Sequence, residues 1–150
     1  MSALSRGSAV PLFDRLAVGG ETQLVGAGAL RESVARDLGR LLNTCSRLTV
    51  AAFSSSDGTV VDYGVPDFSE RSLRSGADRD AIAAAVRRAI ELFEPRLANV
   101  TVRFAFPADR SDPLLLIDGQ LREATGVGHV AFQLAASGGS YTDPRWVEHG

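Results

Sequence analysis

The sequence predicts an α+β fold, in which two main helices precede a mixed or antiparallel sheet of three to five strands in a single compact domain. Two segments in the first two thirds of the chain repeat apolar residues at helical spacing. The last third instead alternates apolar and polar residues with a period of two, as half-buried strands do. A doubly wound fold is not favoured, because strands and helices do not alternate and no glycine-rich loop leads from a strand into a helix.

Each predicted helix has one apolar stripe. The first helix is expected over about 29–43, and the second from near Asp78 to about Phe93. Asp78 is an acceptable N-cap, and Pro95 ends the second helix because the residue before a proline is pushed out of the α region. The stripes are Leu30, Val34, Leu38, Leu41 and Leu42 in the first helix and Ile82, Val86, Ala89, Ile90 and Phe93 in the second.

Three strands and a hairpin are expected after the second helix. The strands are predicted at 100–106, at 114–117 with a continuation to 122, and at 129–135. Asp118–Gly119 is expected to form a bulge or bend in the middle strand. Ser137–Ser140 reads Ser-Gly-Gly-Ser, a hairpin turn signal, and a short edge strand is expected to start at Tyr141.

The chain divides into an N-terminal arm, residues 1–28, and a domain, residues 29–150. Gly and Ser are mixed with short apolar pieces in the arm, and only Leu12–Leu16 is expected to form a helical turn. Residues 19–22 are expected to be a loop.

The loop 63–69 between the helices is unusually apolar. Tyr63, Val65 and Phe68 predict that it packs over the edge of the core, with an exposed interface loop as the less favoured alternative.

Charge and composition exclude several classes of function. The net charge is −2 and all sixteen cations are arginine, so a nucleic-acid partner is not expected. The absence of lysine excludes Schiff-base chemistry and a P-loop. No apolar run approaches the ~18 residues of a membrane span and no signal-peptide core begins the chain, so direct membrane insertion is not expected. A single cysteine excludes an internal disulfide and fits a reducing cytoplasm.

No catalytic residue, metal site or cofactor site is predicted. The chain has two histidines without metal-ligand spacing and no nucleophile elbow. Cys45 follows a helix C-terminus, where the dipole disfavours a thiolate, and is expected to be a buried or semi-buried small residue. A glycosidase needs two carboxyl groups, one in an apolar pocket. Nothing marks such a pocket at either candidate pair, Glu91 with Glu94 or Asp62 with Asp67.

The segment around Glu94, Pro95 and Arg96 is the most informative stretch. Glu91 and Glu94 lie in the last turn of a helix, where the macrodipole disfavours anions, and Arg96 is the nearest partner. One interpretation is a helix stop with a surface ion pair worth about 0–1 kcal/mol. The other is a rigid charged corner that docks a partner through bidentate bonds of Arg96. The residues alone favour the surface ion pair.

Five segments follow one another along the chain: Leu12–Leu16, Leu30–Thr44, Tyr63–Ser69, Phe93–Leu97 and Ile117–Leu121. In this order they resemble the TssE family, the baseplate wedge subunits of bacterial type VI secretion systems. That family is related to the sheath-initiator wedge proteins of contractile-tail phages. The resemblance covers nearly the whole chain, although the tail after Tyr141 is less strand-like than the family pattern.

The resemblance implies a structural protein rather than an enzyme. Glu94, Pro95 and Arg96 match the family's Glu-Pro-Arg triplet, which makes them the expected partner-binding residues. The implied partners are TssF, TssG and TssK in the wedge and the sheath subunits TssB and TssC, in a cytoplasmic baseplate docked at the inner membrane. The alternatives are a wedge protein of a phage-like tail or an extracellular contractile injection particle, a free regulatory binder on the same fold, and, least favoured, a peptidoglycan hydrolase.

Overall fold

The computed structural model describes residues 20–123, 126–137 and 139–148, in which the helices come first and the strands last. The four strands form one antiparallel sheet in the order β1-β2-β3-β4. The predicted α+β fold is therefore confirmed, and the sheet is antiparallel throughout. The elements are α1 (Gly20–Leu42), α2 (Val50–Ser54), a 3₁₀ turn (Val60–Asp62), α3 (Gly76–Phe93), β1 (Leu97–Ala105), β2 (Leu114–Glu123), β3 (Gly126–Ser137) and β4 (Ser140–Val147).

Helix α1 is longer than its sequence predicts. It begins at Gly20, so the expected start at residue 29 and the expected loop at residues 20–22 were wrong. Glycines at 26 and 28 weaken the local helical signal, because each disfavours a helix by about 1 kcal/mol relative to alanine, yet the helix continues through both positions. The division into an arm and a domain at residue 28 stays a prediction. The helical turn expected at Leu12–Leu16 lies outside the described residues.

Helix α3 starts with a different cap from the one predicted. The Ser75 side chain, not Asp78, accepts the capping hydrogen bond, from the Asp78 backbone N–H at 3.3 Å. The Asp78 carboxylate instead accepts hydrogen bonds from the Ser72 N–H and from Arg71. The helix ends at Phe93, as predicted from Pro95.

The two edge strands both differ from the prediction: β1 contains a bulge, and β4 is longer than expected. In β1, Asn99 and Val100 lie opposite the single residue Gly119 of β2, so the bulge expected at Asp118–Gly119 belongs to the neighbouring strand. The β1 backbone passes close to Gly119, where an added Cβ would lie 3.3 Å from the Ala98 carbonyl oxygen. The last strand is eight residues long, not the short edge strand expected from Tyr141.

The two long helices cover one face of the sheet and enclose the core. Helix α1 packs on β4, and α3 packs on β1. Both predicted stripes are buried, apart from Phe93, which is half-buried. Gly39 lets α1 approach β4 closely, since an added Cβ would lie 3.1 Å from the Pro144 side chain.

The loop between α2 and α3 closes one end of this core. Val65 is buried, and Tyr63 and Phe68 pack against the core cluster, which confirms the core-capping prediction. A parallel bridge joins Cys45 to Val65, and Gly64 (φ 118°) passes directly beside the Thr44 carbonyl. Only a residue without a Cβ fits there.

Candidate partner-binding site

The predicted triplet forms the corner between α3 and β1. Glu94 is the C-cap of α3, and its N–H donates to the Ile90 carbonyl at 2.8 Å. The next turn closes when the Leu97 N–H donates to the Glu94 carbonyl at 3.2 Å. Pro95 lies between these two bonds, is exposed, and fixes the backbone at the apex.

Glu94 and Arg96 form a bidentate ion pair. Arg96 Nε donates to Oε1 of Glu94 at 2.7 Å, and Nη2 donates to Oε2 at 2.7 Å. The Glu94 side chain is only 5% exposed, against 28% for Arg96. The interpretation as a surface ion pair was therefore wrong for Glu94, because its carboxylate lies inside the corner.

Helix α1 supplies further partners that the sequence analysis missed. Arg96 Nη2 donates to Asp37 Oδ2 at 2.6 Å, and Nη1 donates to Ser33 Oγ at 3.4 Å. Arg40 adds a longer ion pair to Asp37, at 3.8 Å. Residues 33, 37 and 40 share one face of α1 because helical neighbours are three and four positions apart. That polar stripe was visible in the sequence, but nothing local pointed to a partner 59 residues away.

The local electrostatics favour a permanently charged Arg96. Its hydrogen bonds to Glu94 raise the pKa of the guanidinium above its usual range; burial opposes this, and Asp37 reinforces it. Tyr63 packs edge-on against Phe93, with 5.3 Å between the ring centroids. Burial raises the pKa of Tyr63, and the Asp37 carboxylate adds to that effect.

Part of the corner remains accessible to a partner. Four of the five N–H groups of Arg96 bind within the chain, which leaves one Nη1 hydrogen for another molecule. The side chain of Asp37 is 39% exposed and that of Arg40 is 72% exposed. These groups and Pro95 form what we call the corner surface: Asp37, Arg40, Pro95 and Arg96.

The carboxylates considered for catalysis do not have the properties of a glycosidase acid. A hydrogen bond from the Thr59 side chain lowers the pKa of Asp62, and the Ser69 backbone lowers that of Asp67. A glycosidase needs one carboxyl group with a raised pKa. Glu91 is exposed and pairs with Arg87 on the same helix at 3.6 Å.

The described part of the chain contains no metal-binding cluster and no membrane-spanning helix. Within residues 20–123, 126–137 and 139–148, no group of three His, Cys, Asp or Glu side chains could hold a metal ion. None of the described helices is long and apolar enough to cross a bilayer. Cys45 is exposed, so the expectation that it is buried or semi-buried was wrong. The adjacent Ser46 takes the inward position, 6% exposed.

Comparisons with known proteins point to one family. The family model described as "Baseplate wedge protein gp25" matches residues 28–125, which include α1 from Gly28, the corner and β2. Among solved structures, a chain of "The baseplate complex from the type VI secretion system" is similar, at 18% identity and a TM-score of 0.47. The alignment covers 80% of this chain and 99% of that chain. No curated protein matches the sequence.

Proposed function

The chain belongs to the baseplate wedge protein gp25 family, and on this basis we propose that it is a non-enzymatic structural subunit of a type VI secretion baseplate. The matched segment makes up well over half of the sequence. The five segments that resemble the TssE family, in the same order, support the type VI system over a phage-like tail or an extracellular injection particle. The proposed location is the cytoplasmic side of the inner membrane.

The corner surface is the proposed contact with the other wedge proteins, TssF, TssG and TssK. The observation that carries this proposal is the buried Glu94 carboxylate, which holds the Arg96 fork at a proline-fixed apex. Glu94 then acts as a positioning residue, while Arg96 and its α1 neighbours meet the partner. Charge-assisted bonds at a rigid corner give both affinity and orientation.

The sheath subunits TssB and TssC are proposed to add strands at the edge of the sheet. Strand addition uses main-chain hydrogen bonds, so it needs a regular edge. Strand β1 pairs without interruption from Thr101 to Ala105. Strand β4 contains Asp143 at φ 56° and Pro144, which lacks an N–H. The β1 edge is therefore the better acceptor.

Co-purification from the native cell tests the proposed corner contact. Arg40→Glu changes an exposed group with one long ion pair, so the fold should stay intact. Arg36→Glu, an exposed position on the same helix, is the matched control. We expect tagged wild type and the control to recover TssF, TssG and TssK, and Arg40→Glu to recover clearly less. Equal recovery with all three proteins would contradict the corner contact.

A second assay separates the structural role from the enzymatic alternative. The purified chain is added to cell walls, and the turbidity is followed with wild type beside Glu94→Gln and Glu91→Gln. A structural subunit leaves the turbidity unchanged in every case. Clearing by wild type that either substitution abolishes would replace the proposal with a peptidoglycan hydrolase.

A further inference from the structure

A groove of about 400 Å³ lies between helix α1 and the edge strand β4. Its apolar surface comes from Pro144 and Trp146, which are both half-buried, because Ala35 beside them is fully buried. We call this feature the α1–β4 groove, and its residues are Glu32, Ala35, Arg36, Pro144, Arg145 and Trp146.

An occupant of this groove has to bind through side chains. Strand addition on β4 is interrupted here, since Asp143 has a φ of 56° and Pro144 has no N–H to donate. The Arg31 guanidinium already covers the Trp146 ring, at 5.2 Å from its centre, but the ring is still only half-buried. The remaining apolar surface therefore offers packing contacts rather than main-chain hydrogen bonds.

The groove also presents one carboxylate and one arginine that lack partners in the part of the chain that the structure describes. Arg145 pairs with Asp143. Glu32 and Arg36 are both exposed, and neither forms an ion pair with another described residue. An occupant that carries one charge of each sign beside apolar side chains would match this arrangement.

The chain that precedes α1 is long enough to supply such an occupant. Glu32 lies twelve positions after Gly20, which is about 18 Å along the helix. Leu16 lies four positions before Gly20, a span of at most about 14 Å, and the helical turn predicted for Leu12–Leu16 adds about 6 Å. A chain that turns back before Gly20 therefore brings Leu12 to the level of Glu32. The larger cavity at the C-terminal end of α1 is about 33 Å from Gly20 and out of reach of this segment.

We propose that the segment Leu12–Leu16, which we call the arm segment, docks in the α1–β4 groove of its own chain. Its three large apolar side chains share one face of the predicted turn, and in the groove that face covers Pro144 and Trp146. None of the groove residues belongs to the corner surface. The inference therefore does not depend on the proposed wedge contact or on the baseplate assignment.

The order of charges agrees with the direction in which the arm segment has to run. A chain that turns back runs antiparallel to α1, which places Arg15 on the Glu32 side and Asp14 on the Arg36 side. Each arm charge then meets a groove charge of the opposite sign. The reverse direction would bring like charges together.

The fluorescence of Trp146, the single tryptophan, tests the docking in the purified full chain. Phe13→Asp places a charge within the apolar face of the arm segment, and Leu4→Asp makes the same kind of change outside it. We expect Phe13→Asp to increase quenching of Trp146 by acrylamide and to shift its emission to longer wavelength, while Leu4→Asp matches wild type. Equal quenching of all three proteins, each folded by circular dichroism, would overturn the proposal.

Disulfide trapping identifies the occupant. In a Cys45→Ser background, Arg15→Cys is combined with Glu32→Cys or, as the control, with Arg87→Cys at an exposed position of α3. We expect oxidation to form an intrachain disulfide with Glu32→Cys and much less with Arg87→Cys, seen as a faster-migrating monomer on a non-reducing gel. A disulfide-linked dimer would assign the groove to a second copy of the chain, and equal intrachain yields would show that the arm segment has no fixed seat. Either result overturns the proposal.

Exchange of the two charges tests the ion pair between Arg15 and Glu32. Glu32→Arg should increase the quenching of Trp146, and addition of Arg15→Glu should restore the wild-type value. A local effect of position 32 on the tryptophan would not be reversed by a change at position 15. A double variant that is quenched as strongly as Glu32→Arg would contradict the proposed antiparallel docking.

Discussion

Burial of the Glu94 carboxylate gives Arg96 two roles at once. Arg96 faces the solvent on one side and neutralises a buried charge on the other. Removing one partner of a buried pair costs more than the net value of the pair, because the remaining charge stays desolvated. Substitutions at Arg96 therefore affect both stability and any partner contact.

Arg96→Ala should lower the free energy of unfolding by about 2–4 kcal/mol. Glu94 would keep only the weak bond from the residue 96 N–H, at 3.3 Å. Urea unfolding followed by circular dichroism measures the loss. The double variant Glu94→Gln with Arg96→Ala should recover part of it, since a neutral amide is cheaper to bury than a carboxylate. If Arg96→Ala is as stable as wild type, the buried Glu94 carboxylate does not need Arg96 for stability.

Tyr141 should make the protein less stable at alkaline pH. Burial raises its pKa from 10.0 to about 12. The contribution of protonated Tyr141 to the free energy of unfolding is complete below pH 10. It is lost as the pH rises to about 12, because over this range the folded state holds a proton that the unfolded state has released. The loss reaches up to about 2.5 kcal/mol.

Unfolding curves between pH 8 and pH 12 test this expectation. Tyr141→Phe should flatten the alkaline decline without abolishing it, because the raised pKa of Tyr63 acts in the same direction. A decline as steep as in wild type would mean that Tyr141 ionises equally well in the folded chain.

At the scale of elements, the connection from α1 to the core-capping loop depends on one glycine. Gly64→Ala should destabilise the protein by about 2–4 kcal/mol. The new Cβ would lie 2.3 Å from the Thr44 carbonyl oxygen, and the φ of 118° is unfavourable for alanine. The matched control is Gly28→Ala in α1, where no atom lies within 4 Å.

The control should change stability in the opposite direction. Alanine favours helix over glycine by about 0.5–1 kcal/mol, so Gly28→Ala should raise the melting temperature while Gly64→Ala lowers it. Thermal melts of the two variants beside wild type decide the comparison. A lower melting temperature for both variants would show that an added methyl group is unfavourable at either position.

For the molecule as a whole, one core joins α1, α3 and the sheet. Unfolding should therefore be a single cooperative transition. Trp146, the single tryptophan, lies in β4 opposite Phe132 and under the Arg31 guanidinium, so its fluorescence reports the sheet edge packed on α1. Urea transitions measured by this fluorescence and by far-ultraviolet circular dichroism should coincide. Separate midpoints would mean that β4 and α1 detach before the rest unfolds.

Most of the fold could be predicted from local periodicity. The remainder depends on contacts between residues that are far apart in the sequence. The stripes of α1 and α3 and the apolar patterns of the first three strands are determined within one segment, and these were predicted. The start of α1, the exposure of Cys45 and the position of the β1 bulge depend on packing between segments. The triplet itself was visible in the sequence, but the contact of Arg96 with Asp37 was not, because it depends on how α1 lies against the corner.

Because α1 packs on β4, the protein cannot complete its fold until late in its synthesis. The first described helix leaves the ribosome about 100 residues before the strand it covers, which at ~5–20 residues per second is a delay of about 5–20 s. During that time the stripe of Leu30, Val34 and Leu38 has no sheet to pack on. The nascent chain therefore exposes an apolar helix until its last strand emerges, and folding cannot be completed before then.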